Sequence, residues 1–233
     1  MNDLEKLSDK RWFDMLLRSV DNRTVDGVEF PAFPPPELQS NFVGSSNESA
    51  LQEGFKFYQL VKKYANSLGR SFEPETSRFL DFGCGWGRYL RIFRKDFKPE
   101  NMFGVDVDPT VLDVCRQTGV PGDFQTIAPV GRLPYPDDFF DCVIAYSVFT
   151  HLPEKIHLHW IAEIARVAKP GCVFVLTLEP LRFLDFVESL ADSDPETPWH
   201  RNLRNHADKI PAFRKEYAEG KFVYIPTGGG EYR

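Results

Sequence analysis

The sequence predicts an α/β fold whose mostly parallel sheet is covered by helices on both faces. Short apolar runs alternate with helical stretches between Arg78 and Pro180. The apolar runs are continuous, as in strands buried on both faces, and strands that alternate with helices usually pair in parallel. Sheets of this kind bind ligands outside the carboxyl ends of their strands, so the loops that follow the strands are the first candidate sites.

Composition excludes several classes of protein. The 233 residues are 42% hydrophobic and 27% charged, with a net charge of −6. This acidic balance, without a basic stripe, disfavours a nucleic-acid partner. No apolar run approaches the roughly 18 residues that a membrane-spanning helix needs, so we expect no membrane span. The charged N-terminus lacks the apolar stretch of a signal peptide, and we expect a cytoplasmic location.

The four cysteines do not form a metal-binding pattern. Cys84, Cys115, Cys142 and Cys172 are spread along the chain without a CxxC pair. Unpaired thiols in a reducing compartment are the simpler interpretation, so we expect neither a metal site nor a disulfide.

Residues 1–70 are predicted to form a helical and proline-rich lid. A helix is expected over Leu4–Ser19, and the prolines of "VEFPAFPPPELQS" predict a non-helical segment. The following stretch "SNESALQEGFKFYQLVKKYANSLG" has helical apolar spacing and is predicted to end near Gly69.

The elements of the core follow in order. An Asp at the N-cap with Pro in the first turn predicts a helix start at Asp108–Pro109. Further helices are expected at Tyr89–Lys95 and over "HLHWIAEIARVA". The five predicted strands are "RFLDF", "NMFGVDV", "DFQTI", "DCVIAYSV" and "CVFVLTLE".

A cluster of glycines follows the first of these strands, in "LDFGCGWGRYLRIF". Gly83, Gly85 and Gly87 would let backbone N–H groups face a ligand in front of a helix. Dinucleotide-binding loops require G-x-G-x-x-G/A, but this loop has G-x-G-x-G, with Arg88 where the third small residue belongs. The spacing therefore argues against a nicotinamide dinucleotide.

An acid followed by G-x-G-x-G resembles motif I of the class I S-adenosylmethionine (SAM)-dependent methyltransferases. "GVDVDP" is similar to their second motif, and "LPYPDDFFDCVIAYSVFTHL" and "WIAEIARVAKPGCVFVLT" resemble the later ones in the same order. The resemblance implies a Rossmann-like, doubly wound fold with residues 71–180 as the SAM-binding core. It also implies SAM as the cofactor and S-adenosylhomocysteine (SAH) as the product.

The resemblance also assigns roles to individual residues. Asp81 would reach the ammonium group of SAM, often through water, and Asp106 would bind the ribose hydroxyls. The residues implied to bind the cofactor are Asp81, Gly83, Cys84, Gly85, Asp106, Val107, Tyr146 and Ser147. The family often has an acid that contacts adenine after the third strand. The corresponding "TIAPVGRLP" has none, so backbone or apolar contacts, with Val107 flanking the ring, are expected instead.

Several residues have both a functional and a structural interpretation. Trp86 could stack near the cofactor, but we favour an anchor in the core. Gly87 could contact ligand or serve helix packing, and Arg88 could bind a carboxylate or be structural. In a bacterial subset of the family linked to small molecules and glycans, a segment similar to "LQSNFVGSSNESALQEGFKFY" precedes motif I. That similarity suggests Gln39, Phe42 and Gly44 as further lining of the site.

Methyl transfer from a sulfonium depends mainly on alignment, and a general base is needed only for an acceptor that loses a proton. Tyr146, Ser147, Thr150 and His151 are available after the fourth strand. His151 is the candidate base, because its ordinary pKa suits the role. It also sits at a predicted helix start, where a structural role is the alternative. No catalytic residue beyond this weak candidate is assigned.

Residues 181–233 are predicted to be an extension, with a helix at Leu181–Ala191 and a strand candidate at "KFVYIP". The family adds two strands after the fifth, so we expect strands 6 and 7 to be missing or incomplete. We also expect the chain, which stops at "TGGGEYR", to be truncated. An open sheet edge favours association, so a homo-oligomer is possible on this prediction.

The sequence thus predicts a SAM-dependent methyltransferase acting on the oxygen or nitrogen of a small molecule or sugar. One alternative is a fragment that binds SAM but is catalytically weak. The other is an interaction module on the same fold. Cofactor binding separates the last from the first two, and turnover separates those.

Overall fold

The computed structural model describes residues 4–194 and 197–226, which lie in two compact units. The first unit comprises Met1–Ala145 and Glu163–Val175, and the second comprises Tyr146–Ala162 and Leu176–Arg233. The boundaries of these units differ from those of the three segments predicted from the sequence. The predicted boundaries at residues 70 and 180 remain a prediction.

The helices and strands are numbered separately along the chain. The helices are α1 (Asp9–Arg18), α2 (Pro36–Val43), α3 (Asn47–Ser67), α4 (Arg88–Phe93), α5 (Pro109–Thr118), α6 (Glu154–Val167), α7 (Arg182–Ser189), α8 (Pro198–Arg204) and α9 (Ile210–Ala218). The strands are β1 (Thr24–Val25), β2 (Val28–Glu29), β3 (Phe79–Phe82), β4 (Met102–Asp106), β5 (Asp123–Thr126), β6 (Phe140–Ala145) and β7 (Ala168–Leu176). Short 3-10 helices occur at Leu4–Lys6, Pro99–Asn101, Phe149–His151 and Ala207–Lys209.

Five strands form one sheet in the order β5-β4-β3-β6-β7. The central strand β3 pairs in parallel with β4 and β6, and β4 pairs in parallel with β5. All four residues of β3 are buried, as expected for a strand covered on both faces. The predicted Rossmann-like α/β fold is confirmed. Asp81 lies in β3 opposite Gly104 of β4, so its carboxyl belongs to the centre of the sheet.

The count of strands needs a correction. Numbered along this chain, strands β6 and β7 are present and belong to the sheet, so strands of those numbers are not missing. They are the fourth and fifth strands of the sequence pattern, since β1 and β2 form a separate hairpin that we did not predict. Within the described part of 177–226, no strand follows β7.

Three helices begin with a proline in their first turn, in two stretches where no helix is predicted from the sequence. Helix α2 begins at Pro36, inside the segment predicted to be non-helical. Helices α8 and α9 likewise begin with a proline in their first turn, in a stretch for which no helix is predicted from the sequence. The reason is the same in all three. The first turn of a helix does not use its N–H groups, so proline is tolerated there.

Other elements differ at their ends. Strand β7 begins at Ala168, ahead of the predicted strand "CVFVLTLE", and β6 ends at Ala145 rather than in "YSV". The predicted strand at "KFVYIP" is wrong, because residues 221–226 form no strand. The final "TGGGEYR" lies entirely outside the described residues. Asp108 is the predicted N-cap, with its side chain accepting from the Thr110 N–H at 2.8 Å.

Within the first unit, the N-terminal helices are fastened to α4, the helix that follows the glycine loop. The Trp12 indole donates to the Ile92 carbonyl at 2.7 Å. Lys62 and Lys95 both donate to one carboxylate oxygen of Asp9, at 3.0 and 2.8 Å. Burial alone would raise the pKa of Asp9, but the hydrogen bonds to these lysines outweigh it and lower the pKa. The segment before residue 70 therefore supports the loop from behind.

Candidate cofactor site

The glycine loop connects β3 to α4 and is built from left-handed backbone. Gly83, Gly85 and Gly87 have φ angles of 77°, 50° and 78°, a region that residues with a Cβ rarely adopt. A Cβ on Gly87 would lie 2.8 Å from a Val120 methyl and 3.2 Å from the Cys115 sulfur. The structural interpretation of Gly87 is thus supported, because the loop can approach the helix behind it only without a side chain there.

The loop does not present its amides as we expected. The N–H groups of Gly83 and Cys84 both donate to the Val105 carbonyl, at 2.8 and 3.0 Å. That of Gly85 donates to Asp106 Oδ2 at 2.9 Å, and that of Gly87 to the Cys84 carbonyl. The prediction that these four N–H groups face a ligand is therefore wrong. The glycines supply tight turning and an open surface, and the amides hold β3 against β4.

Asp106 ends β4 and is held in place by backbone. Its Oδ1 accepts from the Asp108 N–H at 3.1 Å, while Oδ2 accepts from Gly85. Burial raises the pKa of Asp106, and the backbone hydrogen bonds act in the opposite direction. Each oxygen retains a lone pair for a further donor, so this carboxylate can accept from a diol. Val107, the next residue, is half-buried.

Asp81 is the most unusual group in the first unit. It is 1% exposed, and its Oδ2 has no hydrogen-bond partner among the described residues. Burial raises its pKa to about 8; the charge of Arg88 acts against this rise, and the charge of Asp106 adds to it. A buried carboxylate without a partner is costly in a folded protein, and such groups cluster at functional sites. The Oδ2 atom of Asp81 is therefore able to interact with a cation or to accept a hydrogen bond from a donor.

The contacts of Trp86 and Arg88 support a structural role for both residues. Trp86 is 1% exposed and packs in a cluster with Ala50 and Val111, as favoured for an anchor. Arg88 is buried and donates to the Ala50 carbonyl at 3.2 Å and to Glu53 at 3.1 Å. This arginine ties α4 to α3, so its charge reaches Asp81 from a fixed position.

The residues of α2 suggested as lining have two different placements. A Cβ on Gly85 would lie 3.4 Å from the Phe42 ring, which is 41% exposed, so Phe42 covers one side of the glycine loop. Gln39 is fully buried and bonds to the Pro34 carbonyl and to Asn47, which gives it a structural role. Gly44 ends α2 in a left-handed conformation.

Tyr146 and Ser147 open the second unit directly after β6. Ser147 has a φ of 58°, and its N–H donates to the Thr177 hydroxyl at 2.7 Å. His151 ends a 3-10 helix, and its carbonyl accepts from the Tyr224 hydroxyl. Burial lowers the pKa of His151, which keeps the imidazole neutral at neutral pH. A general base must be unprotonated, and the lowered pKa of His151 meets this requirement. No hydrogen bond of its side chain among the described residues identifies it as a base.

The second unit also contains a cavity of about 250 Å³ that sequence analysis did not identify. Thr150 and Glu179 lie in its wall. The sequence contains one indication that Glu179 lies at a site. Glu179 follows the end of β7 by three residues, just as the candidate residues Tyr146–His151 follow the end of β6. Within the described ranges, no cluster of three or more His, Cys, Asp or Glu side chains could hold a metal. None of the helices in those ranges is long and apolar enough to cross a bilayer.

Comparison with known proteins agrees with this geometry. Residues 80–176 match the family described as a methyltransferase domain. A tRNA (carboxymethyluridine(34)-5-O)-methyltransferase of Arabidopsis thaliana is 32% identical over 66% of this chain and 42% of its own length. A fatty-acid O-methyltransferase of Mycolicibacterium smegmatis is 29% identical over 48% of this chain and 40% of its own length. The chain thus spans about two fifths of the length of these relatives.

A solved structure, that of SAM-bound CalS10, an amino pentose methyltransferase from Micromonospora echinaspora, is also similar. It is 22% identical over 64% of this chain and 56% of its own, with a TM-score of 0.45. The family match identifies residues 80–176 of this chain as a methyltransferase domain. The cofactor of this family is SAM. Membership of the bacterial small-molecule subset remains a prediction.

Proposed function

We propose that this chain transfers a methyl group from SAM to the oxygen or nitrogen of a small molecule or sugar. The observation that carries the proposal is the pair of acids at the carboxyl ends of β3 and β4. Asp81 has a buried oxygen without a partner among the described residues, and the oxygens of Asp106 keep lone pairs beyond their backbone bonds. An ammonium group and a ribose diol, both present in SAM, satisfy these two needs.

The residues of the site fit the cofactor, and different residues would bind different parts of it. Asp81 would balance the ammonium charge, and Asp106 would accept from the ribose hydroxyls. Gly83, Cys84 and Gly85 would lie against the methionine portion, where the missing Cβ atoms allow close approach. When bound, SAM supplies an electrophilic methyl group. The protein's contribution is then to hold the acceptor atom in line and to exclude water, which lowers the barrier through orientation.

The roles of Val107, Tyr146 and Ser147 at the cofactor are part of the same proposal. Val107 would flank the adenine, and its half-buried position suits an apolar contact. Tyr146 and Ser147 would lie beside the sulfonium, which the position of both residues directly after β6 supports. His151 remains the candidate base for a hydroxyl acceptor.

Calorimetric titration with SAM and SAH tests the proposal. We expect micromolar binding by the unaltered chain and an affinity weakened roughly 10- to 150-fold in Asp106→Ala, because hydrogen bonds to charged groups contribute about 1.5–3 kcal/mol. Asp113→Ala is the control, since this exposed acid lies on α5 and bonds only to Arg116 among the described contacts. Circular dichroism confirms that each variant is folded. A folded, unaltered chain that binds neither compound contradicts the proposal.

A tRNA acceptor is the second candidate, favoured by the similarity to the Arabidopsis tRNA methyltransferase. The net charge of −6 opposes it, because tRNA binding depends on neutralising phosphates. Transfer of labelled methyl groups to unfractionated tRNA, measured beside a set of phenols, deoxysugars and nucleotide-sugars, separates the two. We expect label in the small molecules, and label in tRNA alone would favour the second candidate.

A further inference from the structure

The cavity of the second unit is lined mainly by apolar and aromatic side chains. Its wall combines the 3-10 helix after β6, the segment after β7, and residues from α7, α8, α9 and the chain beyond. The aromatic residues in the wall are Phe149, Phe183, Trp199, Tyr217, Phe222 and Tyr224. Several apolar members are well exposed, including Leu178 at 57% and Tyr217 at 50%. Exposed apolar side chains around a cavity mark a binding surface.

The charged and polar groups of the wall do not favour an anion. Lys221 forms an exposed ion pair with Glu219 at 2.7 Å, which partly offsets its charge, and the lowered pKa of His151 favours a neutral imidazole. Among the described residues, Glu179 is the one acid in the wall, and burial raises its pKa. The Thr150 hydroxyl is buried and has no partner among the described residues. Glu179 therefore gives the cavity a hydrogen-bond acceptor within an apolar surround.

The chain joins two segments of the cavity wall directly to the ends of strands β6 and β7. Only three residues separate Ala145, the end of β6, from Phe149 in the wall. Leu178 follows the end of β7 with one residue between them. In open α/β sheets, ligands bind outside the carboxyl ends of the strands, and these two wall segments are the direct continuations of neighbouring strands.

We propose that the cavity binds the methyl acceptor, and that this acceptor is a small, uncharged aromatic molecule with a hydroxyl group. The inference rests on the proposed function and names its substrate class. The volume of about 250 Å³ lies just below the roughly 300–1,000 Å³ of pockets for drug-sized ligands, so the ligand is smaller than these. Aromatic walls favour an aromatic ring, through stacked and edge contacts. The hydroxyl would donate to Glu179.

Binding of 2-naphthol to the full chain, followed by calorimetry with and without SAH, tests this inference. 2-Naphthoate has the same rings and a carboxylate in place of the hydroxyl. We expect 2-naphthol to bind saturably and 2-naphthoate to bind at least about tenfold more weakly, a difference of about 1.4 kcal/mol. Glu179→Gln removes the repelling charge, so it should reduce this discrimination and raise the affinity for 2-naphthoate.

Two tyrosines provide a matched pair of variants. Tyr217 in the wall is 50% exposed, and Tyr64 on α3 of the first unit is 46% exposed, so both can be replaced with similar consequences for folding. Tyr217→Ala should weaken binding of 2-naphthol about threefold to tenfold, since aromatic pairs contribute about 0.5–1.5 kcal/mol beyond area burial. Tyr64→Ala should leave it unchanged. Equal effects of the two variants, or tighter binding of 2-naphthoate than of 2-naphthol, would overturn the proposal.

The remaining outcomes separate this inference from the proposed function. If the chain binds SAM but not 2-naphthol, with or without SAH, the cavity proposal fails and the methyltransferase proposal stands. If 2-naphthol binds as expected but SAM does not, the proposed function fails, and with it the role of the cavity as an acceptor site. A dimer that Tyr217→Ala dissociates, in a chain that ignores 2-naphthol, would assign the surface to a second copy and overturn the proposal.

Discussion

Binding of SAM at pH 6.5 is expected to release close to one proton, and Asp81→Asn is expected to abolish the release. Burial raises the pKa of Asp81 to about 8, so the free protein holds this carboxyl protonated at pH 6.5. The α-amino group of the cofactor, with an ordinary pKa of about 7.7–8.0, is already an ammonium at that pH. Its positive charge favours the carboxylate, so binding expels the proton from Asp81.

The released proton is measured by calorimetry in two buffers that differ in ionisation enthalpy. The observed heat changes between buffers in proportion to the protons released, so the readout does not depend on catalysis. Asp113→Asn serves as the control, because this acid is exposed on α5 and should leave the release intact. A release of the same size in Asp81→Asn would show that another group titrates, and would contradict the role of Asp81.

The same shift predicts how stability depends on pH. The ordinary pKa of Asp81 is 3.8 and the folded value is about 8, so between these values the native state binds a proton that the unfolded state does not. The contribution of this carboxyl to stability is therefore fully present below pH 4 and is lost as the pH rises through about 8. The upper bound of the loss is roughly 6 kcal/mol, at about 1.4 kcal/mol for each unit of pKa.

Asparagine at position 81 resembles the protonated acid and does not titrate. The free energy of unfolding of Asp81→Asn, minus that of the unaltered chain, should therefore rise by a few kcal/mol between pH 5 and pH 9, since a shift of several pKa units is involved. Urea denaturation at each pH gives both values, and the difference removes the contributions of other groups. A difference that stays constant over this range would refute the raised pKa of Asp81.

Gly87→Ala is expected to destabilise the protein by about 2–5 kcal/mol. One part is the left-handed backbone, which costs a residue with a Cβ about 1–2 kcal/mol. The other is overpacking, at about 1–3 kcal/mol, because the new methyl group would lie 2.8 Å from a side-chain carbon of Val120. The free energy of unfolding from urea denaturation, with an unchanged slope, measures the total.

Gly119 provides a control that isolates the packing part. It has a φ of 76°, close to the 78° of Gly87, but a Cβ there would meet nothing within 4 Å. Gly119→Ala should therefore cost only the backbone part, about 1–2 kcal/mol. Val120→Ala makes room beside position 87, so the loss caused by Gly87→Ala should be smaller in that background. Equal losses at positions 87 and 119 would show that overpacking contributes nothing.

The sequence by itself determined the elements that depend on local chemistry. Continuous apolar runs identified the five strands of the sheet, and Asp108 before Pro109 identified a helix start, because capping involves only neighbouring residues. The order and spacing of the motifs predicted the methyltransferase fold and placed Asp81 and Asp106 in neighbouring strands. The cofactor follows from the same motifs.

Tertiary structure decided how those residues are used. The sequence could not show that the glycine-loop amides bond to Val105 and Asp106, since these partners come from another strand. Nor could it show that Arg88 binds Glu53 of α3 while one oxygen of Asp81 remains without a partner. The cavity of the second unit was missed for the same reason, whereas helix α2 was missed because the prolines at its start were taken to exclude a helix. Partners, burial and the pKa shifts that follow depend on contacts between distant segments, and only the folded chain brings those segments together.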